Sequence, residues 1–214
     1  LSNTTALQIG GAAGAANLVG TNSGPVFGNV VNSIVVNDNV SLAPTGLGIQ
    51  GIAVANITVA DPDNVGLLRT FTLAGDDAAS FQILNGQLRF IGGGAQSFTN
   101  YEAKPVYHVT VNVADANGGS SINYTLNITD TNDNRPTFTS GERVNVQENT
   151  AAGANGVVVY RAAATDLDTV GPALVYSLVA GLGGEDNARF TISPGGEVRF
   201  ATATTRDFEA PQDV

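Results

Sequence analysis

Three short motifs occur twice in this chain, in the same order and at nearly the same spacing. VNDN at residues 36–39 matches VQEN at 146–149, VADPD at 59–63 matches ATDLD at 164–168, and NYEA at 100–103 matches DFEA at 207–210. The two members of each pair lie 105 to 110 residues apart, which corresponds to a period of about 107 residues. Self-similarity at a fixed period predicts tandem copies of one structural unit.

Within each copy, apolar and polar residues alternate as they do in β-strands. Residues 109–113 read VTVNV and residues 122–128 read INYTLNI, so that every second side chain can face a core. Turn signals separate such runs, among them Asn85-Gly86, Asn117-Gly118 and Pro194-Gly195-Gly196. We therefore predict an all-β fold of tandem seven-stranded Greek-key β-sandwiches, the second of them truncated.

The repeat divides the chain into three predicted parts. Residues 1–24 are expected to be a degenerate linker or the end of a preceding repeat, residues 25–133 a first domain, and residues 134–214 a second domain. The acid that follows the sixth strand of the first copy has no counterpart up to Val214. We therefore expect the second domain to lack its last strands and the sequence to be an excerpt of a longer protein.

The charge balance argues against one class of partner. The chain carries 19 Asp and Glu against 9 Lys and Arg, for a net charge of -10, and its basic residues do not cluster. Nucleic acid binding is therefore not expected, because phosphate contacts need clustered Lys and Arg. The chain has no cysteine, so disulfides cannot stabilise it. No apolar run reaches the roughly 18 residues that a transmembrane helix needs.

The densest group of acidic and amide residues, DTNDNRP at residues 130–136, lies between the two copies. Asx side chains compete with backbone hydrogen bonding and Pro136 removes a donor, so this stretch is predicted to be a linker. Its side-chain donors are hard oxygens, with no His or Cys nearby. Such a set suits Ca²⁺, which takes about six to eight oxygen ligands.

Together these motifs resemble cadherin repeats, specifically bacterial cadherin-like domains. The resemblance covers nearly everything from Pro25 onward, and it is carried by DTNDNRP, VQENT, DPD with DLD, NYE with DFE, and VADANG at residues 113–118. It implies that two or three Ca²⁺ ions bind at the junction between the repeats. The implied metal ligands are Asp38, Asn100 and Glu102 from the first repeat, Thr131, Asn132, Asp133 and Asn134 from the linker, and Asp166 and Asp168 from the second repeat.

Two departures from the family pattern predict a weak or empty outermost ion site. Asp38 stands where the family usually has Glu, and Asn100 stands where it usually has Asp. Six further acids match the family motifs without a complete linker beside them. These weaker candidates are Asp61, Asp63, Asp115, Glu148, Asp207 and Glu209.

The resemblance implies a segment of a secreted or cell-surface bacterial adhesin with a membrane-associated parent. Calcium at the linker would rigidify the repeats into a rod for cell adhesion or spacing. The expected partners are calcium, neighbouring repeats of the same chain and a homophilic protein contact. We predict no enzymatic activity, because the single histidine, His108, is expected on an exposed strand face with no nucleophile at a recognisable spacing.

Two alternative functions remain open at this level. One is a Ca²⁺-dependent polysaccharide-binding module of a surface adhesin, and the other is a non-catalytic part of a large extracellular hydrolase. Against a glycan site, the chain has no tryptophan, and most of its aromatic residues, such as Phe81, Tyr101 and Phe208, are predicted to fill the cores.

Overall fold

The computed structural model describes residues 23–28, 31–44, 48–61, 68–93, 96–149 and 156–201. These residues form β-strands and two short 3-10 turns, Ala78–Ser80 and Asn187–Arg189, and none of them lies in an α-helix. A membrane-crossing helix, long and apolar over its length, does not occur among these ranges. The chain divides into two compact units, unit 1 (Leu1–Asp130) and unit 2 (Thr131–Val214). The all-β prediction is confirmed.

Unit 1 forms two main sheets. Its strands are β1 Val26–Phe27, β2 Ser33–Asn37, β3 Ile52–Asn56, β4 Val59–Ala60, β5 Thr70–Ala74, β6 Phe81–Leu84, β7 Gln87–Phe90, β8 Val106–Asp115 and β9 Gly118–Thr129. One sheet has the order β2-β9-β8-β5, the other has the order β3-β7-β6, and β1 pairs with β4. Strand β2 runs parallel to β9, whereas β8 and β9 form a long antiparallel hairpin. Pairing between strands so distant in sequence is typical of a Greek-key sandwich.

The core of unit 1 lies between these two sheets. It contains alternate residues of β8 and β9 together with residues of β6 and β7, namely Tyr107, Val109, Val111, Tyr124, Leu126, Ile128, Phe81, Leu88 and Phe90. The ring centroid of Phe90 lies 5.3 Å from that of Phe81 and 4.7 Å from that of Tyr107, in edge-to-face contacts. As predicted, Phe81 is buried, Tyr101 packs against the core, and His108 is exposed. Phe208 lies outside the described residues.

Unit 2 repeats part of this arrangement. Its strands are β10 Thr137–Phe138, β11 Val158–Arg161, β12 Ala164–Thr165, β13 Phe190–Ile192 and β14 Glu197–Phe200. Strand β10 pairs with β12 as β1 pairs with β4, and the sheet β11-β14-β13 has the order of β3-β7-β6. The rings of Phe190 and Phe200 lie 5.4 Å apart, close to the spacing of their counterparts in unit 1. The internal repeat seen in the sequence is therefore a repeat of structure.

Even local irregularities recur in the two units. The register of β3 shifts between Ala53 and Ala55, and the register of β11 shifts between Val158 and Tyr160. Glycines with positive φ precede both strands, Gly51 at 75° and Gly156 at 69°. A Cβ atom on Gly51 would also collide with the carbonyl oxygen of Phe90, so both the dihedral angle and the close approach require glycine.

Candidate calcium site

Three carboxylates lie at one end of unit 1. Asp38 follows β2, Glu102 lies in the turn before β8, and Asp130 follows β9 directly. A carboxylate oxygen of Glu102 lies within 4.8 Å of one from Asp38 and of one from Asp130. Two unit charges at about 4 Å repel each other by roughly 1–4 kcal/mol, depending on the effective dielectric constant. The cluster is therefore an electrostatically favourable place for a cation.

Asp38 is the most buried member of this cluster. Only 5% of the residue is exposed, and its Oδ1 accepts hydrogen bonds from the backbone N–H of Asn39 at 2.8 Å and of Tyr101 at 3.2 Å. Its Oδ2 is shielded from solvent and accepts no hydrogen bond from the described residues. Because a buried carboxylate oxygen without a donor costs free energy, this atom is positioned to meet a cation.

The backbone around Asp38 is fixed by the segments that carry the other two acids. The hydroxyl of Thr99, which is buried, donates to the carbonyl of Asn37 at 2.8 Å and accepts from the N–H of Val40 at 2.8 Å. The N–H of Asp38 donates to the carbonyl of Thr129 at 3.0 Å. These bonds join the ends of β2 and β9 to the segment before β8, so the cluster is held by non-local contacts within unit 1.

In unit 2 the linker motif is bonded to the DLD motif. Asn134 donates to both oxygens of Asp168, from its backbone N–H to Oδ2 at 2.9 Å and from Nδ2 to Oδ1 at 2.7 Å. The same Nδ2 donates to Oδ1 of Asp133 at 2.8 Å, and the N–H of Asp168 donates to Oδ1 of Asp166 at 3.3 Å. Amide donors of this kind orient carboxylate ligands at metal sites. Asp133, Asp166 and Asp168 thus form one oriented acidic group.

A glycine makes room for the linker. Gly171 has a φ of 116°, and a Cβ atom at this position would lie 2.8 Å from Nδ2 of Asn132. A larger residue would be strained by the dihedral angle and would push Asn132 away. The position of Asn132 therefore depends on the glycine at residue 171.

Solved structures of cadherin extracellular repeats share the fold described above. Repeats EC1-2 of human protocadherin-24 align with a TM-score of 0.59 and 21% identity, over 85% of this chain and 79% of that one. Repeats EC22-24 of mouse cadherin-23 give a TM-score of 0.61 and 26% identity, over 87% of this chain and 56% of that one. The two units are cadherin-like domains. The resemblance inferred from the motifs is confirmed.

Drosophila N-cadherin EC1-4 aligns at a similar level, with a TM-score of 0.59 and 18% identity, over 87% of this chain and 42% of that one. This chain thus spans about half the length of the mouse and Drosophila structures. Neither a protein-family model nor a curated protein matches the sequence. The bacterial character of the repeats stays a prediction.

The cadherin-like motif NYEAK also shapes the turn beside Glu102. The side-chain oxygen of Asn100 accepts the N–H of Ala103 at 2.5 Å, and its carbonyl accepts the N–H of Lys104 at 3.1 Å. The ammonium group of Lys104 donates to Asp77 and lies 4.9 Å from the ring centroid of Tyr107. Asn100 therefore stabilises the turn, and its role as a metal ligand stays a prediction.

The Lys104–Asp77 pair gives unit 1 an acid-sensitive contact. Burial raises the pKa of Asp77, but hydrogen bonds from Lys104 and from the N–H of His108 outweigh it, so the pKa lies below its usual 3.8. A depressed folded-state pKa means that ionised Asp77 stabilises the fold above about pH 3.8, and that this stability is lost as pH falls through the folded pKa.

We expect Asp77→Asn to lower the melting temperature at pH 6, and this difference from the wild type to shrink as the pH falls below about 3.8. Thermal unfolding of both proteins across this pH range measures it. Asp76→Asn serves as the control, because Asp76 is exposed and carries the same charge. A difference between Asp77→Asn and wild type that stays constant down to pH 3 would contradict the prediction.

The weaker candidate ligands have varied surroundings. Asp61 lies 3.5 Å from the guanidinium of Arg69, so a cation there would compete with an ion pair. Oδ1 of Asp115 accepts the N–H of Asn117 at 2.7 Å within the β8–β9 turn, and Glu148 is exposed. Three further candidates lie outside the described residues, namely Asp63, Asp207 and Glu209. The ligand roles of all six stay predictions.

Asp130 was not among the predicted ligands, although it is the first residue of DTNDNRP. The structure places it beside Glu102, directly after the last residue of β9. The available signal was its position two residues beyond the alternating stretch 122–128. A strand that ends there brings the next side chain to the edge of the sandwich, where the other acids of unit 1 lie.

Proposed function

We propose that this chain is a calcium-binding segment of an extracellular adhesion protein, in which Ca²⁺ bound at the linker rigidifies two tandem cadherin-like domains. The observation that carries the proposal is the buried Oδ2 of Asp38, which accepts no hydrogen bond from the described residues and belongs to a cluster of three carboxylates. A divalent cation would neutralise these charges. All the side-chain donors concerned are oxygens, the ligand type that Ca²⁺ prefers.

Each domain contributes part of the proposed ligand set. Unit 1 provides Asp38, Glu102 and Asp130 from one end of its sheets. Unit 2 provides Asp133 and Asp168, which Asn134 orients, and Asp166, which accepts the N–H of Asp168. Asn100, Thr131 and Asn132 complete the proposed set with neutral oxygens. We propose two or three ions, of which the one beside Asp38 and Asn100 binds most weakly, because Asp is shorter than Glu and Asn carries no charge.

Calcium titration of the 214-residue chain tests this function. Extracellular calcium modules bind at about 10⁻⁴ to 10⁻³ M, so we expect saturable binding by calorimetry in this range. At a free concentration 100 times the Kd, one site that binds only the folded state adds about 2.7 kcal/mol of stability. The melting temperature and the maximum dimension in small-angle scattering should rise together.

Magnesium provides the control for a general charge effect. Mg²⁺ is smaller and requires near-octahedral geometry, so at equal concentration it should give a much smaller response. If neither quantity changes up to about 10 mM Ca²⁺, the linker is an ordinary acidic loop and the proposal fails. We also propose that the parent protein lies at a bacterial cell surface and makes homophilic contacts.

We keep polysaccharide binding as a second proposal because of one surface of unit 1. The outward face of β8 and β9 carries cross-strand polar pairs, with Thr110 donating to Asn123 at 2.8 Å and His108 lying 3.2 Å from Thr125. A groove of about 530 Å³ lies on this face. Retention on a glycan column that Asn123→Ala abolishes would support binding there, and retention that the variant leaves unchanged would contradict it.

A further inference from the structure

Strand β2 is an edge strand of the main sheet of unit 1. It pairs with β9 on one side, and on its other side it pairs with no strand of the described residues. The carbonyl of Asn32 accepts the N–H of Thr125 at 2.8 Å, and the N–H of Asp38 donates to β9 at 3.0 Å. The even-numbered residues thus direct their backbone groups toward β9, because such bonds alternate along a parallel ladder. The residues whose backbone groups point to the open edge are Ser33, Val35 and Asn37.

This edge lacks the features that usually prevent an edge strand from pairing. Residues 33–37 read SIVVN, with no charge and no proline, and their register with β9 is continuous. Strand β3, at an edge of the second sheet, has a register shift between Ala53 and Ala55. Strand β5, at the opposite edge of the main sheet, lies between Arg69 and Asp76. Since charges, prolines and bulges block the pairing of edges, β2 is the edge that is open to another strand.

The surface along β2 is apolar at its centre. Val35 is 62% exposed, whereas Ile34 and Val36 on the inner face of the sheet pack against the core. An uncharged groove of about 480 Å³ lies between β2 and β3, and its walls include Val54 and Thr58. A strand added to this edge would contact Val35 and cover the mouth of the groove.

The sequence of β2 is complementary to itself in an antiparallel pairing centred on Val35. In this register Val35 lies opposite Val35 of the second copy. Ile34 lies opposite Val36, and Ser33 lies opposite Asn37. Apolar residues therefore meet apolar residues and polar residues meet polar residues, with each opposed pair on one face of the sheet. The opposed pairs that contain Val35, Ser33 and Asn37 are also those that can exchange main-chain hydrogen bonds across the edge.

Charge restricts where two copies of this chain can meet. The net charge is -10, so two copies repel each other over much of their surface. Residues 23–37 contain no charged side chain, and Asp38, which follows them, is only 5% exposed. The edge of β2 is therefore a place where a second copy can approach without charge repulsion between the paired strands.

We propose that β2 of one copy pairs antiparallel with β2 of a second copy around a two-fold axis at Val35, so that two four-stranded sheets join into one continuous sheet. The carbonyl of Asn37 accepts the hydroxyl of Thr99, and its second lone pair is left for the partner strand. Because the paired strands are short, the dimer is weak and reversible. This inference rests on the homophilic contact proposed above and gives it a surface, but the pairing itself needs no calcium.

Sedimentation equilibrium of the 214-residue chain, in EDTA and in Ca²⁺, tests the pairing. We expect a reversible dimer in both conditions, with a Kd of about 10⁻⁵ to 10⁻³ M, as fits a small interface. Absence of a dimer at about 1 mM protein would overturn the proposal. A dimer that forms only in Ca²⁺ would also overturn it, because the contact would then depend on the ion. If the dimer forms in EDTA and the calcium responses described above are absent, the calcium function fails and this pairing stands.

Matched lysine variants locate the contact. Val35→Lys places two like charges opposite each other at the centre of the ladder, so it should weaken the dimer at least tenfold. Thr72→Lys introduces the same charge at an exposed position of β5, on the opposite edge of the same sheet, and should change the Kd less than threefold. Both positions are exposed, so the melting temperatures of the dilute variants should stay close to that of the wild type. Equal effects of the two variants on the Kd would overturn the proposal.

A mixture of Val35→Lys and Val35→Asp chains tests the register itself. Each variant alone should be mainly monomeric, because like charges meet across the axis. The mixture should form heterodimers at least fivefold more tightly than either variant forms homodimers, since residue 35 of one copy lies opposite residue 35 of the other only in the proposed register. A mixture that dimerises no better than its components would overturn the proposal.

Discussion

Replacement of Asp133 with alanine is expected to abolish most of the stabilisation and extension that Ca²⁺ gives the wild-type chain. Asp133 is the central acid of the linker, and the amide of Asn134 orients its Oδ1 at 2.8 Å. Loss of a charged ligand of this kind should weaken calcium binding at least tenfold, which corresponds to about 1.4 kcal/mol. Melting temperature and small-angle scattering between 0 and about 10 mM Ca²⁺ measure both effects.

Asp76→Ala is the matched control for this prediction. Asp76 is an exposed acid outside the cadherin-like motifs, so its removal changes the net charge by the same amount without touching the proposed site. A calcium response of Asp133→Ala equal to that of Asp76→Ala would contradict the role of Asp133. Asp130→Ala extends the test to the one proposed ligand that was found only in the structure. We expect it to behave like Asp133→Ala.

The sequence predicted correctly those strands and turns that follow from a local pattern of residues. Alternation over residues 109–113 and 122–128 predicted β8 and β9, because a strand turns every second side chain to the same face. The turn at Asn85-Gly86 was predicted because Asn and Gly accept the positive φ of a tight hairpin turn, and Asn85 has a φ of 53°. The repeated motifs then predicted the second domain, although the sequence gives no information on its contacts.

Features that depend on distant contacts were not predictable from the sequence. The parallel pairing of β2 with β9 joins residues more than 80 positions apart, and no local signal specifies it. The same holds for the burial of Asp38, which depends on the backbone of Tyr101 and on Thr99. Asn100 was predicted as a ligand from its motif, while its hydrogen bond within the turn became visible only in the structure.

Truncation of two equivalent phenylalanines should have unequal costs. Phe90 is fully buried and contacts both Phe81 and Tyr107, so Phe90→Ala should lower the free energy of unfolding of unit 1 by about 3–5 kcal/mol. Phe200 occupies the equivalent place in unit 2 but is half-buried and lacks the third ring. Phe200→Ala should therefore cost unit 2 about half as much or less.

Hydrogen exchange in increasing urea measures the two costs separately, because peptides from β7 and β14 report on different units. The two variants carry the same chemical change, so each serves as the control for the other. Equal losses in the free energy of unfolding would contradict the prediction. They would mean that the core of unit 2 is as well packed as that of unit 1, although Val144 and Leu178 are exposed.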